Sequence, residues 1–145
     1  MLVFIPLSRD DLGQWARSGA FAPAQAFAVT DSMMAAFGFT AATDEQAENT
    51  ALDIAGLAAG LSSGIRLVAV AEAQWPPLAD DFGRVQPGEL PYSKVSALFF
   101  DPSVPAVTAA TVDEAWDEPA AAEHLAKSDL AWYHPAEWEQ LTADN

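Results

Sequence analysis

The chain contains no cysteine and few basic residues. The first absence excludes disulfides, thiol nucleophiles and thiolate metal sites together, and it accords with a reducing compartment. The second concerns partners. Six Lys and Arg stand against 21 Asp and Glu, a formal charge of −15. Nucleic acid is gripped through its phosphates by clustered cations, so direct nucleic-acid binding is not expected. The same shortage disfavours anionic membrane surfaces. Long apolar runs are missing too: none approaches the about 18 residues of a membrane-spanning helix. The opening MLVFIPLSRDD has no basic start, and its apolar run stops at Pro6, unlike a signal peptide. These absences lead us to expect a soluble, cytoplasmic protein with no membrane partner.

What is present is a large apolar fraction. Of 145 residues, 51% are hydrophobic, and a domain of this length hides roughly 70% of its unfolded surface. The length fits one globular domain over 1–145, with 142–145 as a frayed tail. No internal repeat is evident.

The segment 43–73 organises the rest. Residues 43–63 read as a long helix opened by a Thr43-x-x-Gln46 capping box and closed by Gly64. Ala47, Ala51, Ile54, Ala58 and Leu61 recur with a helical period. Gly56 and Gly60 lie on a neighbouring row and suggest close approach to a sheet. Residues 65–73 (IRLVAVAEA) follow as a strand apolar enough to be buried on both faces.

Before this segment, 2–6 (LVFIP) is a buried strand, Ser8 caps a helix that Gly19 ends, and 20–23 is a turn. A second strand at 25–29 then suggests a parallel crossover unit. Thr30-Asp31-Ser32 caps a short helix over 33–37. After it, 74–89 is a loop, with one short strand near 84–86, and 94–100 (KVSALFF) is a strand, with Val95, Ala97 and Phe99 opposite Ser96, Leu98 and Phe100. Short helices are expected at 103–111 and 119–127, a last strand at 129–133 and a final helical turn at 135–141, while 111–118 reads as an acidic loop. The sum is an α/β (α+β) domain: one mixed sheet of about five strands with helices packed on it.

Several motifs invite chemistry. Gly60-Leu61-Ser62-Ser63-Gly64 matches G-x-S-x-G, but a nucleophile elbow needs strand before serine and helix after, and here the order is reversed. His124 and His134 form no metal-binding spacing and read as surface or edge positions. Asp80-Asp81 and Asp113-Glu114 are carboxylate pairs, which a chain with 21 acids contains without any function. No metal and no cofactor is expected.

The aromatic residues say more. Four of the five tryptophans follow residue 74, and Trp132-Tyr133-His134 with Glu137-Trp138 is the densest group. Such residues either seal a small core or form a contact surface. Alternation along a strand would place Trp132 and Tyr133 on opposite faces. The candidate binding residues are therefore Trp75, Asp80, Asp81, Trp132, Tyr133, His134, Glu137 and Trp138.

The order of pieces LVFIP, AFAVT, DEQAENTALDIAGLAA, RLVAVAE, KVSALFFD and LAWYHPAEWEQL resembles an uncharacterised family of small actinobacterial proteins, a domain of unknown function. That resemblance implies an actinobacterial cytoplasmic protein and carries over no activity and no site residues. The expectation for function is an acidic soluble interaction or regulatory module without evident catalytic machinery, with a basic protein as its partner. One alternative is a small-molecule-binding protein or enzyme with a pocket at the strand ends. Another is a nucleic-acid mimic.

Overall fold

Strand β4 (Arg66–Glu72) lies in the middle of the sheet, and its first six residues are buried. In the computed structural model, which describes residues 1–103, 107, 109–127 and 130–142, β4 is flanked by β1 (Leu2–Pro6) and β7 (Val95–Asp101). Beyond β1 lie β3 (Ala26–Ala28) and β5 (Arg84–Val85); beyond β7 lies β8 (Ala131–Tyr133). The sheet order is β5-β3-β1-β4-β7-β8. A separate ribbon pairs β2 (Ala20–Phe21) with β6 (Leu90–Pro91).

Strand alternation divides the core in two. Val3, Ile5, Leu67, Ala69 and Ala71 point to one face, which α1 (Arg9–Ser18) and α6 (Trp138–Thr142) cover with Leu12, Trp15 and Leu141. Phe4, Phe27, Val68 and Val70 point to the other. There α3 (Asp44–Ser63) forms most of the cover, assisted by α2 (Asp31–Phe37), α4 (Val112–Ala115) and α5 (Pro119–Lys127). The result is one domain of three layers, α/β/α.

The helix ends follow local chemistry. The Asp11 N–H donates to the Ser8 hydroxyl, and the Ser8 N–H donates back to the Asp11 carboxylate, closing a capping box. Thr30 caps α2 through the Met33 N–H. Gly64 ends α3 at φ 77°, a left-handed conformation that glycine adopts without steric cost. The capping box expected at Thr43 and Gln46 is not formed: the Thr43 hydroxyl turns back to the Thr40 N–H and C=O, ordering a preceding 3₁₀ turn at Ala41–Thr43. Ser62 and Ser63 donate to Ala58 and Ala59 carbonyls in the last turn of α3, the role of helix-end serines rather than nucleophiles.

Four sequence expectations are corrected. There is no parallel crossover: β1 pairs with β3 antiparallel, Val3 opposite Ala28 and Phe4 opposite Phe27. The chain must therefore re-enter the sheet at the edge where β1 left it. Helix α1 carries it away by about 15 Å, and the stretch 19–25, which includes the expected turn at 20–23, returns it by way of β2. The sheet is likewise antiparallel rather than mixed in every pairing among the described residues, and its six strands are slightly more than the about five expected. The face assignment of β7 changes at its start. Val70 pairs with Ala97 but Ala71 with Val95, so Ser96 is an extra residue whose hydroxyl reaches the Val70 carbonyl. This bulge turns Val95 into the α1 layer while Ala97 faces α3. The acidic loop expected at 111–118 contains α4. The helix expected over 103–111 falls largely on residues 104–106 and 108, outside the described residues, as do 128–129 of the last strand and 143–145 of the expected tail.

Helix α3 sits close to the sheet because five of its eight buried residues are alanine and one is glycine. A Cβ added at Gly56 would lie 3.3 Å from Arg66 Nε and 3.3 Å from Leu130 Cδ1. Gly56 thus faces the sheet, as its spacing predicts. Gly56→Leu should lower stability by about 1–3 kcal/mol through overpacking, read as a lower denaturation midpoint with an unchanged slope; a wild-type midpoint would show that the layer is looser than described.

Candidate functional site

The expected binding residues do not converge. Asp80 accepts the Phe82 N–H at 2.9 Å and pairs with Arg84 at 2.8 Å, and Arg84 also holds Asp113 of α4 at 2.8 Å. Burial pushes the Asp80 carboxyl up. The hydrogen bonds from Arg84 and Phe82 and the Arg84 charge outweigh it and hold Asp80 below its ordinary range. Asp80 therefore fastens the loop before β5. Asp81 beside it is exposed. These residues stand at the β5 edge, five strand spacings or about 24 Å from β8.

The aromatic group belongs to that far edge. Tyr133 lies opposite Leu98 and packs into the α1 layer, whereas Trp132 lies opposite Phe99 and is 57% exposed, so the two take opposite faces as alternation requires. His134 is exposed and acts as a cap: its Nδ1 accepts the Ala136 N–H at 3.0 Å, and its own N–H donates to Glu137 at 3.2 Å. Trp138 is half-buried against α1, with the Arg17 guanidinium 5.7 Å from its ring. Trp75 is half-buried in the same layer, its Nε1 close to Gly88. Tyr133, Trp138 and Trp75 seal the core, and Trp132 alone of these aromatics stands out from it.

The structure draws attention to two other places. The first is a groove along the rim formed by the start of β1, the end of β3 and α2. Two clefts, of about 480 and 340 Å³, share Met1 and Val29 as a common wall. Pro77, Leu78 and Ala79 close the larger; Phe4 and Met34 floor the smaller. Leu78 is 42% exposed and Leu2 36%, two of the three large apolar side chains left open among the described residues. Asp31 lines one cleft, and Asp44 and Glu48 line the other. None of these three carboxylates has an ion-pair partner among the described residues. The groove is thus apolar at its base and anionic at its rim. The sequence marks this loop only through neighbouring Trp75, Asp80 and Asp81, because Leu2, Met34 and Leu78 come from three separate segments.

The second place is a buried polar cluster beneath α3. Arg66, at the start of β4, is 1% exposed and lies opposite Asp101 at the end of β7; Nη1 donates to Asp101 Oδ2 at 3.0 Å. Asp101 Oδ1 accepts the Ser103 N–H and hydroxyl. His124 of α5, expected at the surface, has a side chain only 14% exposed, with Nε2 3.9 Å from Asp101 Oδ2. Burial and the Arg66 charge lower the His124 pKa, against the opposing pull of Asp101. A lone arginine opening an apolar strand was the sequence signal for this cluster, but its partner lies 35 residues away. Among the described residues, no three of His, Asp and Glu converge as a metal-binding group, and no helix is long and apolar enough to cross a membrane.

A six-stranded antiparallel sheet between two helical layers, with an acidic apolar groove on one rim, is the class of protein that this geometry defines. The chain belongs to a family of unknown function, DUF6912, whose model matches residues 1–142. No curated protein and no solved structure matches it.

The His124 environment fixes a pH dependence. His124 is protonated less readily in the folded than in the unfolded chain, so the folded state is fully favoured above the unfolded value of about 6.5. Stability should fall as pH is lowered from there toward the depressed folded value, then level off. Urea denaturation of wild type and His124→Gln between about pH 5 and 7.5 measures this: the variant should lose part of the acid-side decline, and identical profiles would contradict it.

Proposed function

We propose that the protein is an interaction module whose rim groove receives a basic, amphipathic segment of a partner protein. The observation that carries this reading is the combination at one place of an apolar base, including exposed Leu2 and Leu78, with Asp31, Asp44 and Glu48 around it, which have no ion-pair partner among the described residues. Apolar side chains of the segment would fill the two clefts, and lysines or arginines would meet the rim carboxylates. The chain's charge of −15 would add long-range attraction. Exposed charge pairs are screened over about 8 Å at physiological ionic strength, so affinity should fall with salt while the apolar part persists.

A synthetic peptide of alternating lysine and leucine blocks serves as the probe, with binding measured by calorimetry at two salt concentrations. The double variant Asp44→Lys/Glu48→Lys should weaken binding about tenfold, equivalent to about 1.4 kcal/mol, and Leu78→Asp should weaken it with less dependence on salt. Trp132→Ala, at the opposite part of the sheet, should bind as wild type. Full affinity in the groove variants, or loss in Trp132→Ala, would assign the contact surface elsewhere.

A further inference from the structure

Three buried side-chain atoms lack a hydrogen-bond partner among the described residues: Arg66 Nε, Arg66 Nη2 and His124 Nε2. All three belong to one cluster. Folded proteins pair nearly all such atoms with protein, water or an ion, and an unpaired buried donor on a charged group is among the costliest to leave open. Their coincidence around Asp101 marks a position where something outside the polypeptide completes the set.

The orphaned atoms specify its chemistry. Asp101 occupies Nη1 of the guanidinium. The other edge, Nε–H and Nη2–H, is the planar fork that matches two oxygens of one oxyanion. His124 Nε2 lies 3.9 Å from Asp101 Oδ2, the oxygen that accepts from Nη1, so this polar atom stands on the Asp101 side of the cluster. Arg66 and Asp101 neutralise each other, so the site repels an anion less than the chain's overall charge would suggest. Helix α3 packs close over the guanidinium: a Cβ at Gly56 would lie 3.3 Å from Nε and 3.6 Å from Nη2, so any ligand there is limited to a few atoms. The Arg66 side chain is 1% exposed, and those of Asp101 and His124 only 10% and 14%.

We propose that the Arg66–Asp101–His124 cluster beneath α3 is a binding site for a small carboxylate, gripped by the free edge of the Arg66 guanidinium and by His124. The site shares no residue with the rim groove and stands or falls independently of it. The ligand would also lock α5 to the sheet, since His124 comes from α5 and Arg66 from β4.

The test is nitrogen-15 NMR of the arginine Nε–H resonances during titration with sodium acetate, with sodium chloride and sodium phosphate as parallel arms at matched ionic strength. The Arg66 resonance is assigned by its loss in Arg66→Lys. Expected is a saturable shift of that resonance with acetate, with half-saturation between about 0.1 and 10 mM, as befits a four-atom ligand, and none with chloride. His124→Gln should weaken acetate binding at least threefold while leaving the assigned Arg66 resonance in place. If Arg66→Lys does not fold, the four arginines of the wild-type chain are separated instead by single substitution of the exposed or half-exposed Arg9, Arg17 and Arg84. No saturable shift, or the same shift in chloride, would mean that water alone completes the cluster and would overturn the proposal. Tighter binding of phosphate than of acetate would overturn the carboxylate assignment.

Discussion

The packing of α3 against β4 is the constraint on which the other elements depend. Strand β4 is buried on both faces, so it needs a helical layer above and below, and α3 supplies the upper one with alanine, glycine and two larger apolar side chains. Small residues bring the helix near the sheet, but they fill little volume. Phe4, Phe27 and Met33 fill what remains at one end, and the Arg66 guanidinium fills it beneath Gly56. Asp101, opposite Arg66 on β7, supplies the guanidinium's counter-charge within that layer. Breaking such a buried pair costs about 3–5 kcal/mol, so the pair ties the register of β4 and β7 to the seating of α3.

The same layer explains how the periphery is held. Arg84 joins the loop before β5 to α4 through Asp80 and Asp113, and its guanidinium lies 5.5 Å from the Phe27 ring. Phe37, Phe39, Phe82 and Trp116 form a chain of ring contacts that closes α2 and α4 over that edge. On the opposite layer, Trp15 is fully buried and donates its indole N–H to the Leu90 carbonyl, pinning the β2–β6 ribbon to α1. Tyr92, whose burial pushes its hydroxyl pKa up to about 12, donates to the Pro135 carbonyl and anchors the last helical turn. With these edges fixed, the groove at the β1 rim is bounded by ordered elements.

What the sequence discloses depends on how local the cause is. The helix at 43–63 and the strand after it are legible because period, small-residue spacing and the Gly64 stop all act within one segment. The caps at Ser8 and Thr30 are legible for the same reason. Strand direction is not: β1 and β3 are antiparallel because 19–25 returns the chain by way of β2, whose partner, Leu90–Pro91, lies some 70 residues on. The Ser96 bulge reverses a face assignment that alternation alone would make. As for the candidate site, Trp132 and Tyr133 divide between surface and core as alternation requires, but Asp80, His134 and Glu137 prove to be local fasteners. The groove and the Arg66 cluster depend on tertiary juxtaposition, with single residues drawn from distant segments, and no spacing in the chain announces either.

The central functional claim is that the partner surface lies on the β1 rim and not at the exposed tryptophan of the β8 edge. Amide chemical-shift mapping of the wild-type protein with the lysine–leucine peptide tests it most directly, because it reports location without altering any side chain. Perturbations should be confined to residues 1–4, 29–34, 44–48 and 77–79, with 131–138 unchanged. Perturbations centred on Trp132, or spread evenly over the acidic surface, would contradict it.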